Sequence, residues 1–150
     1  MTQSPNTIFV REAGDDDAET LRTHRSESAK EATRYRGSPA SPSVSTALTF
    51  VAGIGDTVFG SLSAGATSTS AWEITHVYVE PTAREIGIGD ALMQRCLGHL
   101  RGMGVLWLGA SALPGDRAMK NLFERHGLVA QTIIVGKSLS DPSTAADASQ

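Results

Sequence analysis

Apolar positions along the chain gather into short runs separated by Gly-, Ser- and Pro-rich stretches, and their spacing switches between period two and a period near 3.6. Ile8, Phe9 and Val10 form the first apolar run, which predicts a strand. A helix is predicted from Asp16 to Tyr35. Its apolar side, Leu21, Ala29, Ala32 and Tyr35, is thin, so it should pack at the edge of a core. Asp15 to Asp17 sit where acids oppose the helix dipole, and Asp16 with Glu19 has capping-box spacing. Arg36 to Ser45 has loop composition. Thr46 to Ile54 and Thr57 to Ser63 are β-rich runs joined by a Gly55-Asp56 turn, and Gly65 to Ser70 leads to a third run, Glu73 to Val79.

Ile88, Leu92, Cys96 and Leu100 recur at i, i+4 and predict a helix that ends near Gly102 and Gly104. Val105 to Ala110 predicts a strand, and Leu113 to His126 a short helix stopped by Gly127. Leu128 to Ser138 predicts a last strand. The resulting order, β-α-β-β-β-α-β-α-β, is that of a mixed sheet with helices on both faces, in the α/β (α+β) class. We expect one domain over residues 1–139 and a disordered tail over 140–150, which has no large apolar residue.

Composition narrows the chemistry. The single cysteine, Cys96, falls on the apolar helix face and reads as a buried hydrophobe, and with four histidines no metal-ligand spacing emerges, so no metal is expected. A net charge of −3 argues against a nucleic-acid binder. Neither a signal peptide nor a segment of membrane-spanning length is apparent, so a cytoplasmic protein with no membrane partner is expected.

The stretch Glu73 to Leu92 carries the most information. Its β-rich run ends at Pro81, and Arg84, Gly87 and Gly89 then spell R-x-x-G-x-G before the helix. Free amides at a helix start form an anion site, and glycines let a phosphate approach them. A Rossmann turn fits poorly, because Leu92 stands where Gly or Ala is needed and no acid lies near Trp107; the Lys-Ser/Thr pair of a Walker loop is absent.

Val77, Val79, Pro81, Arg84, Gly87, Ile88, Gly89 and Leu92 resemble the V-x-V-x-P-x-x-[QR]-x-x-G-[IV]-G-x-x-L signature of the GNAT superfamily of N-acetyltransferases. The resemblance extends more weakly from about Ile8 to about Leu139. It implies the GNAT fold, a mostly antiparallel sheet of about six to seven strands. It also implies acetyl-CoA as co-substrate, held between two splayed strands and donated directly to a primary amine of a small molecule or a protein. The diphosphate would lie on Arg84, Glu85, Ile86, Gly87, Ile88, Gly89 and Asp90, and the pantetheine along Val77, Tyr78 and Val79.

The resemblance further makes Glu73 the first candidate for a general base and the Val79 amide the oxyanion donor, and His76 on the same run is a second candidate base. On a regular strand Glu73 and His76 would face opposite sides, unless a bulge breaks the alternation. The family's N-x-x-A-x-x-x-Y-x-x-x-G-F helix maps onto Asp116, Met119, Phe123 and Gly127, so Phe123 replaces the general-acid tyrosine. Either the CoA thiolate departs unaided, or a water or a hydroxyl such as Ser111 donates, or catalysis is lost. The last alternative gives a non-catalytic acyl-CoA-binding sensor or regulatory domain. Asp116 and Asn121 would stand near the pantetheine, and Tyr35, Arg36 and the following loop near the acceptor. The Ile133-Ile134-Val135 run suggests edge pairing in a homodimer.

Overall fold

The protein's computed structural model describes residues 7–39 and 41–140. Five strands form one sheet in the order β1-β2-β3-β4-β5: β1 Ile8–Glu12, β2 Ala47–Ile54, β3 Thr57–Ala66, β4 Ala71–Val79 and β5 Trp107–Gly109. The first four pair antiparallel, β1 joined to β2 through a helix and β2, β3 and β4 through short turns, while β5 returns parallel to β4 through a crossover helix. The helices are α1 Ala18–Ala32, α2 Ile88–Gly102 and α3 Arg117–Arg125.

The two faces of the sheet differ in chemistry. On one, Phe50, Ala52, Leu62, Ala64, Ile74 and Val77 pack against Ile88, Leu92, Met93, Cys96 and Leu100 of α2 and Leu122 and Phe123 of α3. Gly60 is needed there, because a Cβ would lie 2.8 Å from Ile88 Cγ2. Cys96 is fully buried, and burial pushes its thiol up to about 11, in keeping with a structural side chain. The opposite face offers Ser61, Ser63 and Tyr78 to α1, which supplies the buried His24. The weak apolar side of α1 thus matches a polar docking surface.

Several boundaries differ from the sequence reading. Leu128 to Ser138 forms no strand. Leu128 donates its amide to Phe123 O and closes α3, but Ile133, Ile134 and Val135 are exposed and pair with nothing among the described residues. β-type composition makes a strand only where a ladder partner exists, and the neighbouring edge, β5, is three residues long. The sheet therefore has five strands rather than six or seven. The expected Asp16–Glu19 capping box is not made. Asp17 is the buried acid, accepting from the Gly14 amide at 2.7 Å and from Arg11 at 2.7 and 3.0 Å. The Arg11 guanidinium holds its carboxyl below the usual range, against burial. The proposed tail lies outside the described residues apart from Ser140. Among the described residues no helix is long and apolar enough to cross a membrane.

Leu92 is 0% exposed at the centre of the α2 face. Leu92→Ala should cost about 2 to 5 kcal/mol and lower the calorimetric midpoint by roughly 5 to 15 °C. A fall of less than about 2 °C would show that this face does not dominate stability.

Candidate active site

The site is organised by an irregularity in β4. Ser63 pairs with His76 and Ala64 with Ile74, so Thr75 is an extra residue with no partner on β3. The bulge breaks the period of two. Trp72, Ile74, Val77 and Val79 face α2, while Glu73, His76 and Tyr78 align with Gly65, Ser63 and Ser61 on the α1 side. Glu73 and His76, expected on opposite faces of a regular strand, are brought to the same one.

β4 and β5 pair only over Ala71–Glu73 and Trp107–Gly109, then part. Glu80 N donates to Phe59 O at 2.8 Å, which makes Val79 and Gly60 a non-hydrogen-bonded pair of the antiparallel ladder. The N–H and C=O groups of Val79, and of Val77 two residues earlier, are therefore directed away from β3 into the split. Arg84 Nε donates to Val79 O at 2.8 Å, leaving the Val79 amide as the free group there.

The loop after β4 turns into α2 through two left-handed residues, Glu85 at φ 69° and Gly87 at φ 97°. The first is unusual for a side-chain-bearing residue, and the second requires glycine. Among the described residues, the amides from Glu85 to Asp90 donate to no backbone or side-chain acceptor. They include the first turn of α2, so free donors and the positive end of the dipole coincide. A Cβ on Gly89 would lie 3.4 Å from Leu122 and 3.8 Å from Val79, the residues flanking the mouth of the split. This surface fits a diphosphate and its attached chain.

The Arg84 side chain does not stand over these amides. Besides Val79 O it bonds Glu31 Oε1 at 2.6 Å and lies 5.5 Å over the Tyr78 ring. The Asp90 carboxylate is likewise committed, to His126 at 2.7 Å and Arg125 at 3.2 and 3.3 Å. Burial works to raise this carboxyl, but those bonds prevail and hold it below the usual range. Asp116 caps α3 by accepting from the Met119 amide at 3.1 Å, which gives the carboxylate a local structural role. Asn121 is exposed, and Phe123 belongs to the core.

On the α1 face a chain of polar groups, buried at His24 and Ser61, approaches β4. Glu80 Oε2 lies 3.2 Å from His24 Nε2, His24 Nδ1 lies 2.8 Å from Ser61 Oγ, and Ser61 Oγ lies 3.1 Å from His76 Nε2. With His24 neutral, the carboxylate places its proton on Nε2, and Nδ1 then accepts from Ser61. The serine oxygen accepts in turn from His76 Nε2–H. His76 Nδ1 is left as a bare acceptor. Burial first, then the Arg25 charge, push the His76 imidazole down to about 4, so it is neutral at pH 7. Glu73 lies against Gly109, where a Cβ would overlap its carboxylate, and burial raises its carboxyl.

His76 and Thr75 line a cleft of about 390 Å³ together with Arg25 and Ser28 of α1, Pro39 and Ser63. Glu73, Tyr35 and Arg36 do not line it. His24, Ser61, Glu80 and Arg25 escaped the sequence reading. The one available signal was Ser61 and Ser63 at i, i+2 in a run otherwise suited to burial. Among the described residues no group of three or more His, Cys, Asp or Glu side chains is placed to hold a metal ion.

A mixed sheet whose fourth and fifth strands part beside a helix start with free amides presents a surface open to an anion and an extended chain. A model of the acetyltransferase (GNAT) family matches residues 14–128, and the chain belongs to that family of acyltransferases. Solved structures agree in fold. The aminoglycoside N-acetyltransferase AAC(6')-Iy in complex with CoA is 11% identical at TM-score 0.68, covering 93% of this chain and 100% of that one. A ribosomal-protein-alanine N-acetyltransferase from Brucella melitensis biovar Abortus 2308 is 15% identical at TM-score 0.67, with 88% and 99% covered. A transcriptional regulator from Bacillus halodurans C-125 is 17% identical at TM-score 0.68, with 89% and 100% covered. No curated protein matches the chain.

The hydrogen-bond chain makes a spectroscopic prediction. Nitrogen NMR of the free protein at pH 7 should find His76 as the Nε2–H tautomer, and Ser61→Ala should shift it toward a mixture. An Nδ1–H tautomer in the parent protein would reverse the assigned direction of the chain.

Proposed function

We propose that the protein transfers the acetyl group of acetyl-CoA to a primary amine by direct attack in a ternary complex. The observation that carries this reading is the continuity of free backbone donors, from Val77 and Val79 in the strand split to the amides of Glu85 through Asp90. The amides of Glu85 to Asp90 are assigned to the diphosphate, with Gly87 and Gly89 keeping the surface open. Val77, Tyr78 and Val79 flank the pantetheine on one side, and Asp116, which caps α3, with Asn121 and Phe123 of α3 on the other.

Each chemical demand has a candidate group. An ammonium with a pKa near 10.4 must lose its proton before attack, at a cost of about 4 to 5 kcal/mol at pH 7. Glu73 and His76, brought to one face by the bulge, are the groups proposed to meet it. The negative charge that develops on the carbonyl oxygen is assigned to the Val79 amide, a type of contact worth about 3 to 4 kcal/mol. The thiolate departs without a side-chain acid. Phe123 cannot donate, and a thiol with a pKa near 8.5 is a tolerable leaving group.

In a thermal melt, acetyl-CoA and CoA at about 100 times Kd should each raise the midpoint by roughly 5 to 10 °C, and NADH should not. No shift with thioester or thiol would remove the assigned cofactor site. CoA binding without any amine-dependent CoA release would instead favour a non-catalytic sensor.

Phe123→Tyr tests the last step. A useful general acid contributes about 10² to 10⁴ in rate. If departure is unaided and not limiting, kcat should change by less than about threefold. A tenfold rise would mean that the missing acid limits turnover.

A further inference from the structure

The cleft beside His76 has a charge character that bears on what enters it. It holds one cation, Arg25, and no carboxylate; its other polar lining is Ser28, Ser63, Thr75 and His76. Arg25 makes no ion pair among the described residues. Two acids of α1 that follow it are engaged elsewhere: Glu27 with Lys30 at 3.2 Å and Glu31 with Arg84 at 2.6 Å. The strand hydroxyls are also occupied, since Ser63 Oγ pairs with Thr49 at 2.8 Å and Thr75 Oγ1 donates to Ser63 O at 3.3 Å. Among the described residues the guanidinium is thus the one strong group in the cleft with no partner, and its field is felt at His76.

We propose that this cleft accepts a small primary amine that also carries an anionic group, carboxylate or phosphate, with the anion on Arg25 and the nitrogen directed to His76. The inference rests on the acetyl-transfer reading and narrows its acceptor. An Arg–carboxylate or Arg–phosphate pair is charge-assisted and can be bidentate, which fixes orientation as well as affinity. His76 Nδ1, the bare end of the Glu80-His24-Ser61 chain, is the acceptor that an amine N–H requires. The cleft volume lies near the lower end of small-molecule sites. A polyamine such as an aminoglycoside would place further positive charge beside an uncompensated guanidinium.

The test compares matched acceptors by CoA release at saturating acetyl-CoA: lysine against cadaverine, O-phosphoethanolamine against ethanolamine, and kanamycin as a polycation. At least one anion-bearing amine should exceed its partner without the anion by about tenfold or more in kcat/KM, and the two pairs separate carboxylate from phosphate. Arg25→Gln should reduce that preference to within about twofold through KM, with the CoA-induced thermal shift as the check on folding. Preference for cadaverine, ethanolamine or kanamycin would overturn the inference, as would a preference that survives Arg25→Gln. NMR titration of CoA-saturated protein with lysine or O-phosphoethanolamine gives a readout independent of turnover. Perturbed His76 and Arg25 signals without turnover keep the cleft assignment and discard the transfer reaction. Turnover of amines without an anionic group alone does the reverse, and no perturbation by either compound overturns the assignment.

Discussion

Between Ala64 and Ser63 the third strand advances by one residue, while its partner advances by two, from Ile74 to His76. Thr75 is the surplus residue, and nearly every feature of the site follows from where it is inserted. Without the bulge, with Thr75 paired as in a regular strand, His76 would be carried onto the α2 side of the sheet, into a core of Leu92, Met93 and Cys96. An imidazole there would have no partner, at the cost of an unsatisfied buried polar group. With it, Trp72 and Ile74 stay in the core below the bulge and Val77 and Val79 stay there above it. Both sets are apolar, so the hydrophobic core pins the bulge from both sides.

That arrangement divides labour between the two faces. The α2 face is continuous hydrocarbon from sheet, α2 and α3, and supplies the cohesion expected of apolar burial. The α1 face is thereby free to carry polar groups whose net contribution to stability is small. His24 and Ser61 are buried there, yet each has partners, and no buried side-chain nitrogen or oxygen among the described residues lacks one. A chain satisfied at every link has a direction, because each neutral group donates once and accepts once along it. Glu80 sets that direction from the partly exposed end, and His76 presents its result at the cleft.

The sequence revealed most where backbone geometry restricts residue choice. Pro81, Gly87 and Gly89 left a readable signature because the turn into α2 needs a fixed φ, a left-handed residue and a surface without a Cβ. The α2 stripe was equally legible, since one face meets one core. Contacts between distant segments left no such trace. His24 lies 37 residues from Ser61 and 56 from Glu80, and nothing local marks them as partners. A bulge adds one residue without changing composition, so the faces assigned to Glu73 and His76 depended on information absent from the strand itself. The 128–138 segment failed in the opposite sense, its local propensity being clear and its pairing partner missing.

Arg84 shows why a motif residue's role is not settled by its charge. Its position before the glycines suggests a cation for phosphate, but its guanidinium bridges Val79 O and Glu31 and stacks on Tyr78. In that place it does something the amides cannot. The Val79 carbonyl points into the same split as the Val79 N–H, and without a donor it would expose a negative dipole where the proposed reaction develops negative charge. Arg84 neutralises that carbonyl and, through Glu31, ties the end of β4 to α1. The proposed diphosphate site then rests on backbone amides alone, whose positions are fixed by the helix start rather than by a flexible side chain. An anion site built this way needs no rearrangement to receive its ligand, which is the condition under which fixed dipoles are most effective.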